Sequence, residues 1–293
     1  MSVNTFQAYP DNSSDVNFRA WGKGISDAFA AVGLVKTADT GQVDWATAAH
    51  PTGSNEITTF YEIWRFDDGA LQTACPVFFK IWYGSGGNAN GPRMQIYVGQ
   101  GSDGSGKLTG TIATYLNLYG YAPSTVAQYS CFISSDSGRI NVALFVGTTS
   151  QVVGGFYIER IKDDTGSATA DGVNIVKLSN EGTTASQQYL PLSGAAYPAS
   201  PMVSYMCAFP YTEHASYGSD VGLFPIYPNL GYAANPDLGA LVYSTYDIGA
   251  AGSIIAVDIY GVSHNFVTIG GMIYAPTING NSGAAISLAM RYE

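Results

Sequence analysis

The chain has 293 residues, 46% of them apolar and only 12% charged, with 12 Lys and Arg against 22 Asp and Glu for a net charge of −10. Twelve scattered basic residues exclude a stripe built to neutralise nucleic-acid phosphates, so no nucleic-acid partner is expected. No apolar run approaches the roughly 18 residues that cross a bilayer as a helix, and no membrane insertion is expected.

Average globular chains are about one quarter charged. Here 35 Gly and 21 Tyr join abundant Ser, Thr and Asn. Charge keeps soluble monomers apart, so so sparse a charge suits a surface covered by copies of itself or by partners. The opening MSVNTFQAYPDNSSD has neither a basic nor an apolar leader region. A soluble protein made in the cytoplasm is the expectation. Cys75, Cys131 and Cys207 are odd in number and far apart, which suggests buried thiols rather than a disulfide framework.

Residues 1–17 read as a polar, extended arm. Asn17 is then placed to cap a helix whose stripe is Phe18, Trp21, Ile25, Ala28, Phe29 and Val32, with Gly33 closing it. Val35 to Trp45 reads as two short strands around an Asp-Thr-Gly turn, and Thr59 to Phe66 as an alternating strand. The stretch from Pro76 to Gly110 predicts a long antiparallel hairpin. Val77, Phe79, Ile81 and Tyr83 fall on one face of its first strand and Phe78, Lys80 and Trp82 on the other. Only Lys80 is charged there, so both faces are expected to be covered.

Strands are expected at Ile112–Tyr121, Tyr129–Ser134, Arg139–Gly147 and Val152–Lys162, with turns between them. From Leu178 to about Tyr197 the pattern turns polar and loses its period. Tyr197 to Pro236 is rich in Pro and Tyr, which points to ordered loop or edge strand. Leu241–Thr245, Ser253–Gly261, Phe266–Tyr274 and Ala284–Tyr292 resume the strand pattern. The expected fold is all-β, an antiparallel sandwich of jelly-roll-like kind with one N-terminal helix, in one or two β domains. The division is an arm and helix over 1–34, a sandwich over 35–178 and a β-rich part over 179–293.

Gly101-Ser-Asp-Gly-Ser-Gly106-Lys107 has the spacing of a phosphate-cradling loop, but Leu108 follows where Ser or Thr should hold magnesium. It is read as a Gly-rich β-turn. His50, His214 and His264 are too dispersed to announce a metal site, and Asp163-Asp164 reads as a solvated turn. No Gly-x-Ser-x-Gly elbow sits in a strand-turn-helix context. Glu62, Asp67, Asp68, Glu159 and Asp258 are the carboxylates that glycoside hydrolysis would have to draw on, and Glu159-Arg160 reads as an ion pair. No enzyme, catalytic residue, metal or cofactor is expected. Aromatic residues are the remaining candidates for contact with a partner or a sugar, namely Trp64, Trp82, Tyr227 and Tyr232, beside Tyr83, Tyr119 and Tyr121.

FRAWGKGISDAFAAVGLVKTADTGQVDWA, VGQGSDGSGKLTG and FYIERIKDDTGSATADGV, with FPIYPNLGYAANP and VDIYGVSHNF later, span most of the chain. In these strings the sequence resembles a group of structural proteins of tailed bacteriophages. The resemblance carries no catalytic motif. It implies a virion component of the tail, baseplate, neck or head surface, synthesised in the host cytoplasm and working with copies of itself and other virion proteins. The alternative is a module on a phage fibre that binds a host receptor or surface carbohydrate through its Tyr-rich loops.

Overall fold

The computed structural model describes residues 2–8, 14–53, 56, 58–86, 91–110, 116–119, 129–136, 139–147, 153–162, 167–179, 186–191, 206–207, 224–225, 227–228, 241–244, 252–259, 262–268, 273–274 and 285–292. Among these it is mostly β, in antiparallel sheets with two helices. β1 (Ser2–Ala8) precedes α1 (Asp15–Ala31). β2 (Val35–Lys36), β3 (Phe60–Arg65), α2 (Ala70–Ala74), β4 (Phe78–Gly86), β5 (Gly91–Gly99), β6 (Gly101–Ser102), β7 (Leu108–Thr109) and β8 (Leu116–Tyr119) follow. β9 (Tyr129–Asp136), β10 (Arg139–Gly147), β11 (Val153–Lys162), β12 (Ala168–Ser179) and β13 (Ser186–Pro191) come next. The remainder is β14 (Met206–Cys207), β15 (Phe224–Pro225), β16 (Tyr227–Pro228), β17 (Leu241–Ser244), β18 (Ile254–Ile259), β19 (Val262–Thr268), β20 (Ile273–Tyr274) and β21 (Ala285–Arg291).

The helix begins earlier than its expected cap. Ser14, in extended conformation, accepts a hydrogen bond from the Asn17 amide at 3.3 Å, so Ser14 is the cap and Asn17 the third helical residue. Asp15 adds a carboxylate to the positive end of the helix. At the other end the expected Gly33 takes φ +90, and the Leu34 amide reaches back to Phe29 O at 3.0 Å. The expected stripe is buried throughout, with Phe18, Ile25 and Phe29 fully so.

Two antiparallel sheets share one core. β2-β3-β4-β5-β8 forms a five-stranded sheet, and β1-β9-β10-β11-β12-β13 a six-stranded one. The helix stripe lies on the inner face of the first. Phe29 meets Trp64 and Phe79 edge-on at 5.4 and 5.9 Å, and Trp21 meets Tyr83 at 5.7 Å. The second sheet adds Cys131, Ile133, Phe156, Ile158 and Val173 to the same core. Phe79 and Phe156 bring the two sheets into direct contact at 6.3 Å. Gly22 lets the Trp45 ring lie against the helix, since a Cβ there would stand 2.0 Å from that ring.

Four local expectations need correcting. A second helix, α2, joins the single expected N-terminal helix. Val35–Trp45 forms only one strand, β2. Beyond its turn the edge of β3 is satisfied piecemeal, with the Ile63 amide on Gln42 Oε1 at 2.8 Å and the Val43 amide on Tyr61 O at 2.9 Å. The polar stretch beyond Leu178 contains a strand, β13, paired with β12. An edge strand is held by backbone bonds and needs no apolar period. Val262–Asn265 is strand, and β18 and β19 form a hairpin through it. Of the arm expected over 1–17, residues 2–8 are extended and pair with β9, while residues 15–17 already belong to α1.

Candidate functional site

Among the described residues Asp39, Glu62, Lys80, Glu159 and Arg160 are buried, and three of them, Glu62, Arg160 and Lys80, each gather several partners. The first is Glu62, which faces inward from β3 and is 0% exposed. Its Oε1 accepts from Ser26 Oγ at 2.8 Å, Lys36 Nζ at 2.7 Å and Trp45 Nε1 at 3.1 Å. Its Oε2 accepts from Tyr83 OH at 2.9 Å and Trp64 Nε1 at 3.4 Å. Helix α1, β2, the loop carrying Trp45, β3 and β4 thus converge on one carboxylate. Burial, and then the Glu62 charge beside it, push the Tyr83 phenol well above its ordinary range. A carboxylate holding five donors is set up to fix positions, since a general base needs a free lone pair.

The second group is Arg160 of β11. The sequence suggested a pair with Glu159, but consecutive strand residues point to opposite faces. Arg160 instead crosses to Asp68, pairing through Nε to Oδ2 and through Nη2 to Oδ1 at 3.0 Å. It also donates to Cys75 O at 2.9 Å and Gln72 Oε1 at 3.3 Å. The clamp ties α2 and its flanks to the six-stranded sheet.

The third is Lys80, on the outer face of β4. Its ammonium sits 3.9 Å from the Tyr61 ring centroid and 3.8 Å from that of Trp82, and donates to Gly106 O. Tyr61 and Trp82 are cross-strand partners, with rings 5.0 Å apart. Gly106 belongs to the Gly-rich turn between β6 and β7, which the sequence set aside as a phosphate loop. The structure agrees, since a strand and not a helix follows the turn. Its amides are already taken: Ser105 and Lys107 donate to Asp103 Oδ1 at 2.8 and 3.1 Å, and Gly106 donates to Asp39 Oδ1 at 3.1 Å. Gly106 has φ +92, and a Cβ would stand 2.2 Å from Tyr61 OH. The turn is a plug closed over the outer face. Burial would raise the Asp39 carboxyl, but hydrogen bonds from the Ser102 hydroxyl and the Gly106 amide hold it below the usual range.

Burial lowers Lys80 from 10.5 to about 8, against the opposing pull of Asp39 and Asp103. Between those values the unfolded chain keeps a proton that the folded chain has released, so stability gains a positive slope with pH. Lys80→Met should remove that rise. Denaturant midpoints of both proteins from about pH 7.5 to about 10.5 test it, and parallel curves would show that Lys80 titrates normally.

Trp64 is 2% exposed within the core, closed to a sugar or a partner. Trp82 is half-buried on the outer face, in one row with Tyr61 and Gln95. Tyr83 is core. Tyr227 lies in β16, opposite Cys207, with its side chain outside the described residues. Tyr119, in β8, is likewise described only in its backbone; Tyr121 and Tyr232 lie outside the described residues. Of the carboxylates, Glu62 and Asp68 are consumed as described, and Asp67 pairs with Arg65 at 3.3 Å. Glu159 is buried in β11, opposite Arg139 in register. Asp258 is placed only as a residue of β18. His50 pairs with Asp15, and His264 Nδ1 stands 2.8 Å from Arg291 Nη2. His214, Asp163 and Asp164 lie outside the described residues. Cys75 and Cys131 are buried.

Among the described residues no group of His, Cys, Asp and Glu could hold a metal ion, and no helix is long and apolar enough to cross a membrane. The sequence missed the Lys80 cluster, although a lone lysine amid strand aromatics was its signal. No protein-family model matches the chain, and no curated protein matches it.

Proposed function

We propose that this chain is a non-enzymatic structural component of a tailed-bacteriophage virion, in its tail, baseplate, neck or head surface, working by multi-copy assembly. Its fold in this reading is an antiparallel sandwich of jelly-roll-like kind, with the helix stripe packed into the core that the two sheets share. The observation that carries the proposal is how three of the buried charges are used: Glu62, Arg160 and Lys80 each hold structural elements together. The low-charge, Tyr- and Gly-rich composition and the resemblance of the sequence strings support the same reading. The protein would be synthesised in the host cytoplasm and reside in the virion.

A second reading rests on Trp82, a half-buried aromatic on the outer face that a host-surface sugar can contact. Light scattering with electron microscopy of the purified chain separates the two. A closed ring, trimer or filament supports assembly. A monomer counts against it, and loss of glycan-array binding in Trp82→Ala would then support the second reading.

A further inference from the structure

We infer that the outer edge of β1 is a self-complementary interface for a second copy of this chain. The inference rests on the multi-copy reading above and names one of its contacts. β1 is the terminal strand of the six-stranded sheet, and no described strand pairs with its outer edge. Its ladder to β9 runs unbroken through seven pairs, from Ser2↔Ser135 to Ala8↔Tyr129. The β9–β10 and β10–β11 ladders, by contrast, each contain an irregularity.

An edge strand presents unpaired N–H and C=O groups that template another strand. Proteins ordinarily blunt such an edge with a charge, a proline or a bulge. The strand SVNTFQA has no charge and no proline, and its register shows no bulge. Its inner face is already used. Phe6 packs against the core and over Gly24 of α1, where a Cβ would stand 2.5 Å from its ring. That seating holds the strand firmly while leaving its outer edge clear of described strands. Val3, Thr5 and Gln7 are exposed on the other face.

A second copy is the occupant that the strand's own sequence fits. Laid antiparallel on itself, SVNTFQA pairs all seven residues only when the twofold axis passes Thr5. Thr5 then faces Thr5 of the second copy, Val3 faces Gln7, and Asn4 faces Phe6. Exposed side chains meet exposed ones and inward ones meet inward ones, so both copies keep their helix-facing side inside. Threonine opposite threonine is a favourable cross-strand pair, and no like charges oppose each other. The two six-stranded sheets become one continuous sheet across the axis.

The test is a cysteine register scan on the full chain, using Val3→Cys, Thr5→Cys and Gln7→Cys separately. Directly opposed antiparallel residues have Cα atoms about 4.5–5.5 Å apart, within disulfide range. Mild oxidation should give a covalent dimer of Thr5→Cys alone. Val3→Cys and Gln7→Cys should cross-link when mixed and not singly. The wild-type chain, whose Cys75 and Cys131 are buried, sets the background. Thr5→Lys places two ammonium groups across the axis and should weaken self-association at least about tenfold with the circular dichroism unchanged. If light scattering finds multimers but Thr5→Cys stays uncross-linked, or all three variants cross-link alike, the edge interface is wrong and the multi-copy reading stands. A chain that is monomeric throughout overturns both.

Discussion

Asp68→Ala should cost about 3–5 kcal/mol of unfolding free energy, the largest single-site loss expected here. Arg160 is 0% exposed and Asp68 only 10%, so removing the carboxylate leaves a guanidinium buried with neutral acceptors alone, Cys75 O and Gln72 Oε1. Neither carries the charge needed to offset desolvation. Replacing both partners together, Asp68→Leu with Arg160→Met, should recover most of the loss, because an apolar pair carries no desolvation cost. Denaturant unfolding followed by fluorescence and circular dichroism measures both variants. A loss for Asp68→Ala below about 1 kcal/mol would place the pair with exposed salt bridges and contradict the clamp.

Glu62→Ala should approach the same magnitude by a different route. It strands two indole N–H groups, a phenol and an ammonium, and each buried donor left without an acceptor costs about 1–3 kcal/mol. Water entering the vacated space recovers part, so a loss of about 3–4 kcal/mol is expected. Glu62→Gln keeps the shape but turns one acceptor oxygen into a donor facing donors, for a loss of about 2–3 kcal/mol. Tyr83→Phe removes a single bond and should cost about 1 kcal/mol. The order Ala, Gln, then Tyr83→Phe is the test, read from denaturant midpoints. A Gln variant as stable as wild type would mean the charge on Glu62 is not what organises the cluster.

These two clusters also explain why a candidate site drawn from the sequence looked different from the one the fold builds. Glu62 and Asp68 were among the carboxylates considered for catalysis. Both are held by donors from segments far along the chain, Ser26 and Arg160 among them. Trp64 and Trp82 read as equivalent strand aromatics. One residue parity places Trp64 on the helix-covered face and Trp82 on the outer one, and only packing shows which face the helix takes.

What the sequence by itself determined is what depends on short-range pattern. The helix stripe from Phe18 to Val32 and its Gly33 stop follow from a 3.6-residue period and a left-handed cap. The hairpin of β4 and β5, and the strands β9 to β11, follow from β-branched and aromatic runs between turns. The rejection of a phosphate loop followed from the residue after Lys107. What only the tertiary structure decided is what depends on partners distant in the chain. β1 and β13 are held by backbone ladders that leave no side-chain period to read. Ser14 rather than Asn17 caps the helix, because the first turn begins at Asp15 and brings the Asn17 amide onto the Ser14 hydroxyl. The partners of Glu62, Lys80 and Arg160 lie up to 92 residues away. A buried charge must be answered, but which residue answers it is settled by the sheets coming together.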